Sequence, residues 1–200
     1  MADQQVKNPE TASIEGGLAG APDHELAARV GDGQHAAFSV LVYRHTDRYL
    51  ALAERVMGSR AEAEDAVQDS FMKLWTHAAG FDPCKAKFST WFYRIVLNRC
   101  LDKKRVKKPV ALPEGYDVVD DSDSPSDQME GKQSSKLVQV HLMELPDRQR
   151  TAITLCYFDG LSNKEAAEIL DVSVKALESL LIRGRRALAA NLACAADKLF

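Results

Sequence analysis

The chain has 200 residues, of which 46% are hydrophobic and 28% charged, which suits one or two small globular domains with real cores. A net charge of −3 gives no reason, as an average, to expect a nucleic-acid partner. The average hides blocks: one acid against nine bases over 83–108 gives +8, and seven acids without a base over 109–131 give −7. The other segments are milder, −2 over 1–22, −4 over 23–82 and +2 over 132–200. Single-sign blocks of this kind indicate separate surfaces for separate partners.

Residues 1–22 are polar and rich in small side chains, and read as a disordered tail. "PDHELAARV" predicts a short helix with Asp23 as N-cap, broken by "GDGQ". Phe38, Leu41, Val42, His45, Tyr49, Leu52, Ala53 and Val56 then recur at spacings of three and four, one face of a long helix that "GSR" ends. The next helix, about 61–79, aligns Ala63, Val67, Phe71, Leu74, Trp75 and Ala78. Its opposite face carries Glu62, Glu64, Asp65, Gln68, Asp69 and Lys73. "GFDPCKAK" reads as a loop, and a fourth helix runs over about 88–106. "PVALPEGYDVVDDSDSPSDQMEG", residues 109–131, lacks helical period and reads as an extended acidic linker. A second helical block follows from 132. The pattern predicts an all-α protein of two small helical domains, 23–108 and 132–200, on a flexible acidic tether.

The clearest local motif is "LSNKEAAEILDVSVKALESLLIRGRRAL". Ser162 and Glu165 have capping-box spacing, Ala166, Ile169 and Leu170 give a short helix its apolar face, and the helix ends near Asp171. Ser173 caps a second helix that buries Val174, Leu177, Leu181 and Leu188. A short helix, a tight turn and a longer helix make the helix-turn-helix that lays its second helix in a DNA major groove. Ser173 and the exposed Lys175, Ala176, Glu178 and Ser179, with Arg183 one turn on, stand where bases are read. Arg183, Arg185 and Arg186 stand where phosphates are held. The plain alternative is a helical hairpin with a solvated basic face.

In "KAKFSTWFYRIVLNRCLDKKR", residues 85–105, Phe88, Trp91, Phe92 and Tyr93 crowd six positions between cations. Trp91, Ile95 and either Val96 or Cys100 recur as a core stripe, while Phe88, Phe92 and Tyr93 cannot all share it, so some ring surface must reach the edge. Rings that stack on bases, next to cations that hold the backbone, suit single-stranded nucleic acid; duplex DNA needs no aromatics.

That pairing, with "AAFSVLVYRH", "AEDAVQDSFMKLW", "FSTWFYRIVLNRCLD" and "LPDRQRTAITLCYFDGLSNKEAAEILDVSVKALESLLIRGRRAL" in this order, resembles the extracytoplasmic function (ECF) group of bacterial RNA polymerase sigma factors over about residues 23–196. The resemblance implies a specificity subunit of RNA polymerase without bond chemistry of its own. The first domain would bind the β′ clamp helices through Asp65, Gln68 and Asp69 and melt the promoter −10 element. Phe81 would line a pocket for a flipped base and Asn98 would touch DNA, with Lys87, Ser89, Trp91, Tyr93, Arg94 and Arg99 nearby. The second domain would read the −35 duplex through Ser173, Lys175, Ala176, Glu178, Ser179, Arg183 and Arg186 and contact the β flap. Many relatives carry a base where Glu178 stands; this carboxylate either accepts from a cytosine amino group or pairs with Lys175 or Arg183 on its own helix. The linker would thread a basic channel of the polymerase. Its 23 residues reach about 75–80 Å when pulled straight, against about 50 Å between DNA sites one and a half turns apart, but average about 25 Å as a free coil. Free in solution, the domains are therefore expected to sit close and cover DNA surfaces on each other. An anti-sigma factor is an implied further partner.

The rival reading is a stand-alone helix-turn-helix regulator, which leaves 61–108 unexplained and sits poorly with a +2 second block. No Walker loop, dinucleotide fingerprint, metal cluster or nucleophile motif occurs, so neither an enzyme nor a cofactor is expected. Cys84, Cys100, Cys156 and Cys194 lack zinc or disulfide-framework spacing and read as reduced cytosolic thiols. No signal peptide or membrane-length apolar run appears, so a cytoplasmic protein without membrane insertion is expected.

Overall fold

The computed structural model describes residues 18–107 and 138–196. The acidic linker lies outside those residues, as does most of the expected tail.

The first domain is four helices: α1 (Asp23–Gly31), α2 (His35–Met57), α3 (Arg60–His77) and α4 (Phe88–Lys107), with a 3-10 turn, Ala78–Gly80, after α3. Among the described residues there is no strand. The long helix α2 stops at Gly58, whose φ of 82° closes the helix in the left-handed region that glycine enters without cost. Ser59 then starts α3, its hydroxyl accepting from the Glu62 backbone N–H at 3.4 Å.

Three sequence expectations are corrected here. Asp23 is the first residue of α1 and Pro22 its N-cap; the Asp23 carboxylate instead accepts from Arg44 at 2.8 Å and meets His45 Nε2 at 2.9 Å, both on α2. Residues 18–22, expected in the tail, are packed. Leu18 is buried in the core, and Arg44 holds the carbonyls of Leu18, Ala19 and Ala21, because a guanidinium has donors enough to collect several orphan carbonyls. The inner stripe of α4 is Phe88, Phe92, Tyr93, Val96, Leu97 and Cys100, whereas Trp91 and Ile95 lie half-buried at its edge. Tyr49 decides this. It is a buried ring on α2 that meets Phe92 edge-on at 4.7 Å and Tyr93 at 5.0 Å, with Phe88 and Phe71 completing the cluster around Phe92.

The second domain has α5 (138–143), α6 (Asp147–Ile153), a π turn (Thr154–Phe158), α7 (Asn163–Ile169) and α8 (Val174–Ala196). The α6 and α8 backbones approach so closely that a Cβ on Gly184 would come within 2.8 Å of Ile153 Cδ1. Leu177 and Leu181 are buried as expected, but Val174 is 41% exposed, since the first turn of α8 projects beyond the helices that cover the rest.

The two domains touch. The carbonyl of Val56, near the C-terminus of α2, accepts from Arg150 Nη1 at 2.8 Å and Lys104 Nζ at 3.2 Å. Arg150 is buried and also donates to the carbonyls of Leu142, Met143 and Leu145. Asp147 takes both cations, at 3.3 Å from Arg150 and 2.5 Å from Lys104. Two cations at a helix C-terminus answer its unpaired carbonyls, and Asp147 offsets their charge.

Candidate nucleic-acid interface

α7 begins with the predicted capping box. Ser162 Oγ accepts from Glu165 N, and the Glu165 carboxylate accepts from Ser162 N at 3.2 Å and from its hydroxyl at 2.8 Å. The turn after α7 passes through Asp171 at φ 52°, left-handed backbone that aspartate tolerates better than most residues. Ser173 Oγ then accepts from Ala176 N at 3.1 Å and starts α8. Lys175, Ala176, Glu178, Ser179, Arg183 and Arg186 are all exposed along one helix, as is Ser173 at its cap. Arg183 Nε is turned back onto the Ser179 carbonyl at 3.1 Å, and Glu178 makes neither of the intrahelical pairs open to it. Of the two alternatives for Glu178, the structure leaves its carboxylate directed at solvent.

In the first domain, Asp82 shapes the loop before α4. Its carboxylate accepts from Cys84 N at 3.0 Å and meets Lys85 at 3.1 Å, and the Cys84 N–H and Lys85 hold its pKa below the usual carboxylate value. Phe81 leads into this loop with its ring 5.1 Å from Trp91, both half-exposed. Lys87, Trp91, Arg94 and Asn98 are spaced by four, three and four, so they share one face of α4. The edge rings are thus Phe81 and Trp91. Tyr93 does not join them: it is 0% exposed, although its hydroxyl reaches the domain boundary. Ser89 is half-buried on the side of Tyr93.

Asp65 and Gln68 are exposed on α3. Asp69 is not free: Arg99 meets it at 2.6 Å and Lys103 at 3.0 Å. Burial pulls the Asp69 pKa up, but the hydrogen bonds from Arg99 and Lys103 outweigh it and hold the group low. Two residues assigned separately in the sequence, one to polymerase and one to DNA, therefore bind each other. Cys100 is buried, and burial pushes its thiol up to about 12, so it is unreactive. Among the described residues no group of acids, cysteines and histidines could hold a metal ion, and no helix is long and apolar enough to cross a membrane.

Sequence reasoning missed Arg48, Arg150, Asp159 and Glu168, which join the domains. Glu165 was legible as a cap, but not as the partner of Lys87 at 3.1 Å. Hydrogen bonds from Ser162, and then from Lys87, lower the Glu165 pKa from its ordinary 4.5 to about 2. Because the folded value is the lower one, this contribution to stability is complete above pH 4.5 and is lost as pH falls toward 2. Thermal melting of wild type and Glu165→Gln should therefore differ at pH 6 and converge by about pH 2; a gap that persists there would mean the charge contributes nothing.

A helix-turn-helix with an open second helix, beside a domain that carries rings and cations on one helix face, defines a two-domain helical DNA-binding protein. Residues 41–109 match the family described as Sigma-70 region 2, and residues 136–188 match Sigma-70 region 4. The chain is 36% identical over 171 residues to the ECF RNA polymerase sigma factor SigW of Bacillus subtilis, covering 80% of this chain and 91% of that one. It is 33% identical over 187 residues to the RNA polymerase sigma factor CnrH of Cupriavidus metallidurans, covering 88% and 97%. The solved structure of CnrH in complex with the cytosolic domain of CnrY superposes with a TM-score of 0.65 at 32% identity over 86% of this chain and 97% of that one. The sigma factor RpoE of Bartonella quintana, solved with the anti-sigma factor NepR, shares the fold at a TM-score of 0.59 and 22% identity over 78% of this chain and 96% of that one. The chain belongs to the ECF family of RNA polymerase sigma factors. It is an alternative sigma factor, and the stand-alone regulator is not favoured.

Proposed function

We propose that this protein brings core RNA polymerase to a set of two-part promoters, reading the −35 element as duplex with α8 and opening the −10 element with α4 and the loop before it. The observation that carries this reading is the pairing, in one chain, of an exposed helix-turn-helix second helix with the Phe81–Trp91 ring edge and its cations. Phe81 and Trp91 stack on bases, Lys87, Arg94 and Arg99 hold the strand, and Asn98 touches a base edge; Ser89 lines the approach. Tyr93 supports this face from beneath. On α8, Glu178 accepts from a cytosine amino group, Lys175 and Ser179 flank it, Ser173 and Ala176 approach the backbone at the helix start, and Arg183 and Arg186 hold phosphates.

Asp65 and Gln68, with Asp69 once released, dock on the β′ clamp helices, and the second domain contacts the β flap. The protein needs no cofactor, does no bond chemistry itself and works in the cytoplasm. An anti-sigma factor is a further partner, consistent with relatives solved holding NepR or the cytosolic domain of CnrY. The test is transcription in vitro. The purified chain is added to sigma-free bacterial core polymerase with a pooled promoter library, and the transcripts are sequenced. Start sites sharing a two-part upstream motif are expected. No transcripts together with no core binding would overturn the reading.

A further inference from the structure

The strongest unexplained feature is what covers α4. Two of the cations assigned to the −10 strand, and the tyrosine that supports their face, are already engaged by the second domain. Lys87 Nζ meets Glu165 Oε1 at 3.1 Å, the Tyr93 hydroxyl donates to Asp159 Oδ2 at 2.9 Å, and Arg94 Nε donates to the Glu168 carbonyl at 3.1 Å. Around them, the Arg55 guanidinium lies 4.7 Å from the Phe158 ring centre, and Arg48 lies over the Tyr93 ring at 5.2 Å. Asp159 is held between Tyr93 and Arg48, and its burial raises its pKa although both neighbours favour the charge. Two carboxylates and a carbonyl thus occupy the cations and the hydroxyl as phosphate and sugar oxygens would.

The covering is one-sided. The α8 residues that read duplex are exposed, while the α4 face is met by α7 and the turn before it. We propose that the turn at Asp159 and helix α7 form an internal mask that competes with the −10 single strand for α4, so that the closed chain can engage duplex but cannot hold an opened strand. This rests on the −10 role given above to Lys87 and Arg94. The mask is built to yield. Lys87 is 74% exposed, and a cleft of about 600 Å³ opens at the Arg94 end of the contact, between Arg94, Asn98, Lys104, Arg148 and Asp171. The exposed Lys87–Glu165 ion pair is of a kind that is individually weak, and polymerase contacts made only by the open chain can displace it.

Cys84 in the loop before α4 and Cys194 on α8 are both exposed and lie one in each domain, which makes them natural label positions. In a Cys156→Ser background, spin labels on these two report the inter-domain distance, with Cys100 buried and unlabelled. The wild-type chain is expected to give one narrow distance distribution. Asp159→Asn with Glu165→Gln, isosteric changes of which the second can still cap α7, should broaden it. The same double variant should bind a fluorescent random-sequence 12-nucleotide single strand about three- to tenfold tighter, and a random duplex within about twofold of wild type. Adding Lys87→Ala and Arg94→Ala should abolish the gain. An unchanged distance distribution, or opening without tighter strand binding, would overturn the mask. The −10 reading is judged separately: full-strength transcription by Lys87→Ala/Arg94→Ala in the otherwise wild-type chain would remove it.

Discussion

Phe92→Ala should strongly destabilise the first domain, while Trp91→Ala, one residue away, should leave its stability nearly unchanged and cripple promoter opening. Phe92 is fully buried among Tyr49, Phe71 and Phe88. Truncating such a ring costs about 3–5 kcal/mol, a large share of the 5–15 kcal/mol that holds a domain, and should lower the melting temperature by about 15–30 °C. Trp91 is half-exposed and faces Phe81. Its loss removes one stacking surface, about 1–3 kcal/mol per base, so open-complex formation should fall about 5- to 150-fold with core polymerase binding unchanged. Melting curves, a core-binding assay and permanganate footprinting of the −10 element separate the two outcomes. Equal melting temperatures for the two variants would contradict the burial pattern. Unchanged opening by Trp91→Ala would remove that ring from the −10 site.

The second large effect is expected at Glu178. Its carboxylate is exposed on the first turns of α8 and unpaired with Lys175 or Arg183. A carboxylate in the major groove accepts from a cytosine amino group and repels phosphate, so it selects rather than strengthens. Glu178→Gln should change the −35 base preferred at one position by about 1–3 kcal/mol, roughly 5- to 150-fold in selected promoters, with little effect on core binding. Glu178→Ala should relax the same position to several bases. Sequencing the start sites that each variant selects from the promoter library reads this directly. A motif identical to the wild type's would place Glu178 outside the base contacts.

The proposed mask adds a condition to the first of these results and none to the second, because α8 is exposed in the closed chain. A promoter-opening defect reports on α4 only after the second domain has moved away from Lys87, Tyr93 and Arg94. A variant that merely loosens the closed form could therefore raise activity in the same assay. The core-binding and distance measurements keep these apart, because opening changes the Cys84–Cys194 separation whereas loss of a stacking ring does not.

Local patterns carried much of the protein. Apolar residues three and four apart marked α2 and α3, and the Ser162–Glu165 box and the Ser173 cap marked the helix-turn-helix, because helix periodicity and capping depend on neighbours within one turn. The exposed residues of α8 followed from the same spacing. Four aromatics in six positions announced that a ring would reach the surface, but not which one. Trp91 stood in the expected core stripe and moved to the edge, because Tyr49 on α2 offers its ring to Phe92 and Tyr93 instead. Only tertiary packing decides such a choice, since the competing faces of α4 are almost equally apolar. The same is true of charge. Asp69 with Arg99, Lys87 with Glu165 and Arg150 with the Val56 carbonyl join residues 30, 78 and 94 positions apart, and no local rule sees pairs at that separation. The sequence by itself determined the helical pattern, the two caps of the helix-turn-helix and the family. The tertiary structure decided which rings and charges are free, because exposure belongs to the packing of several helices and not to any one of them.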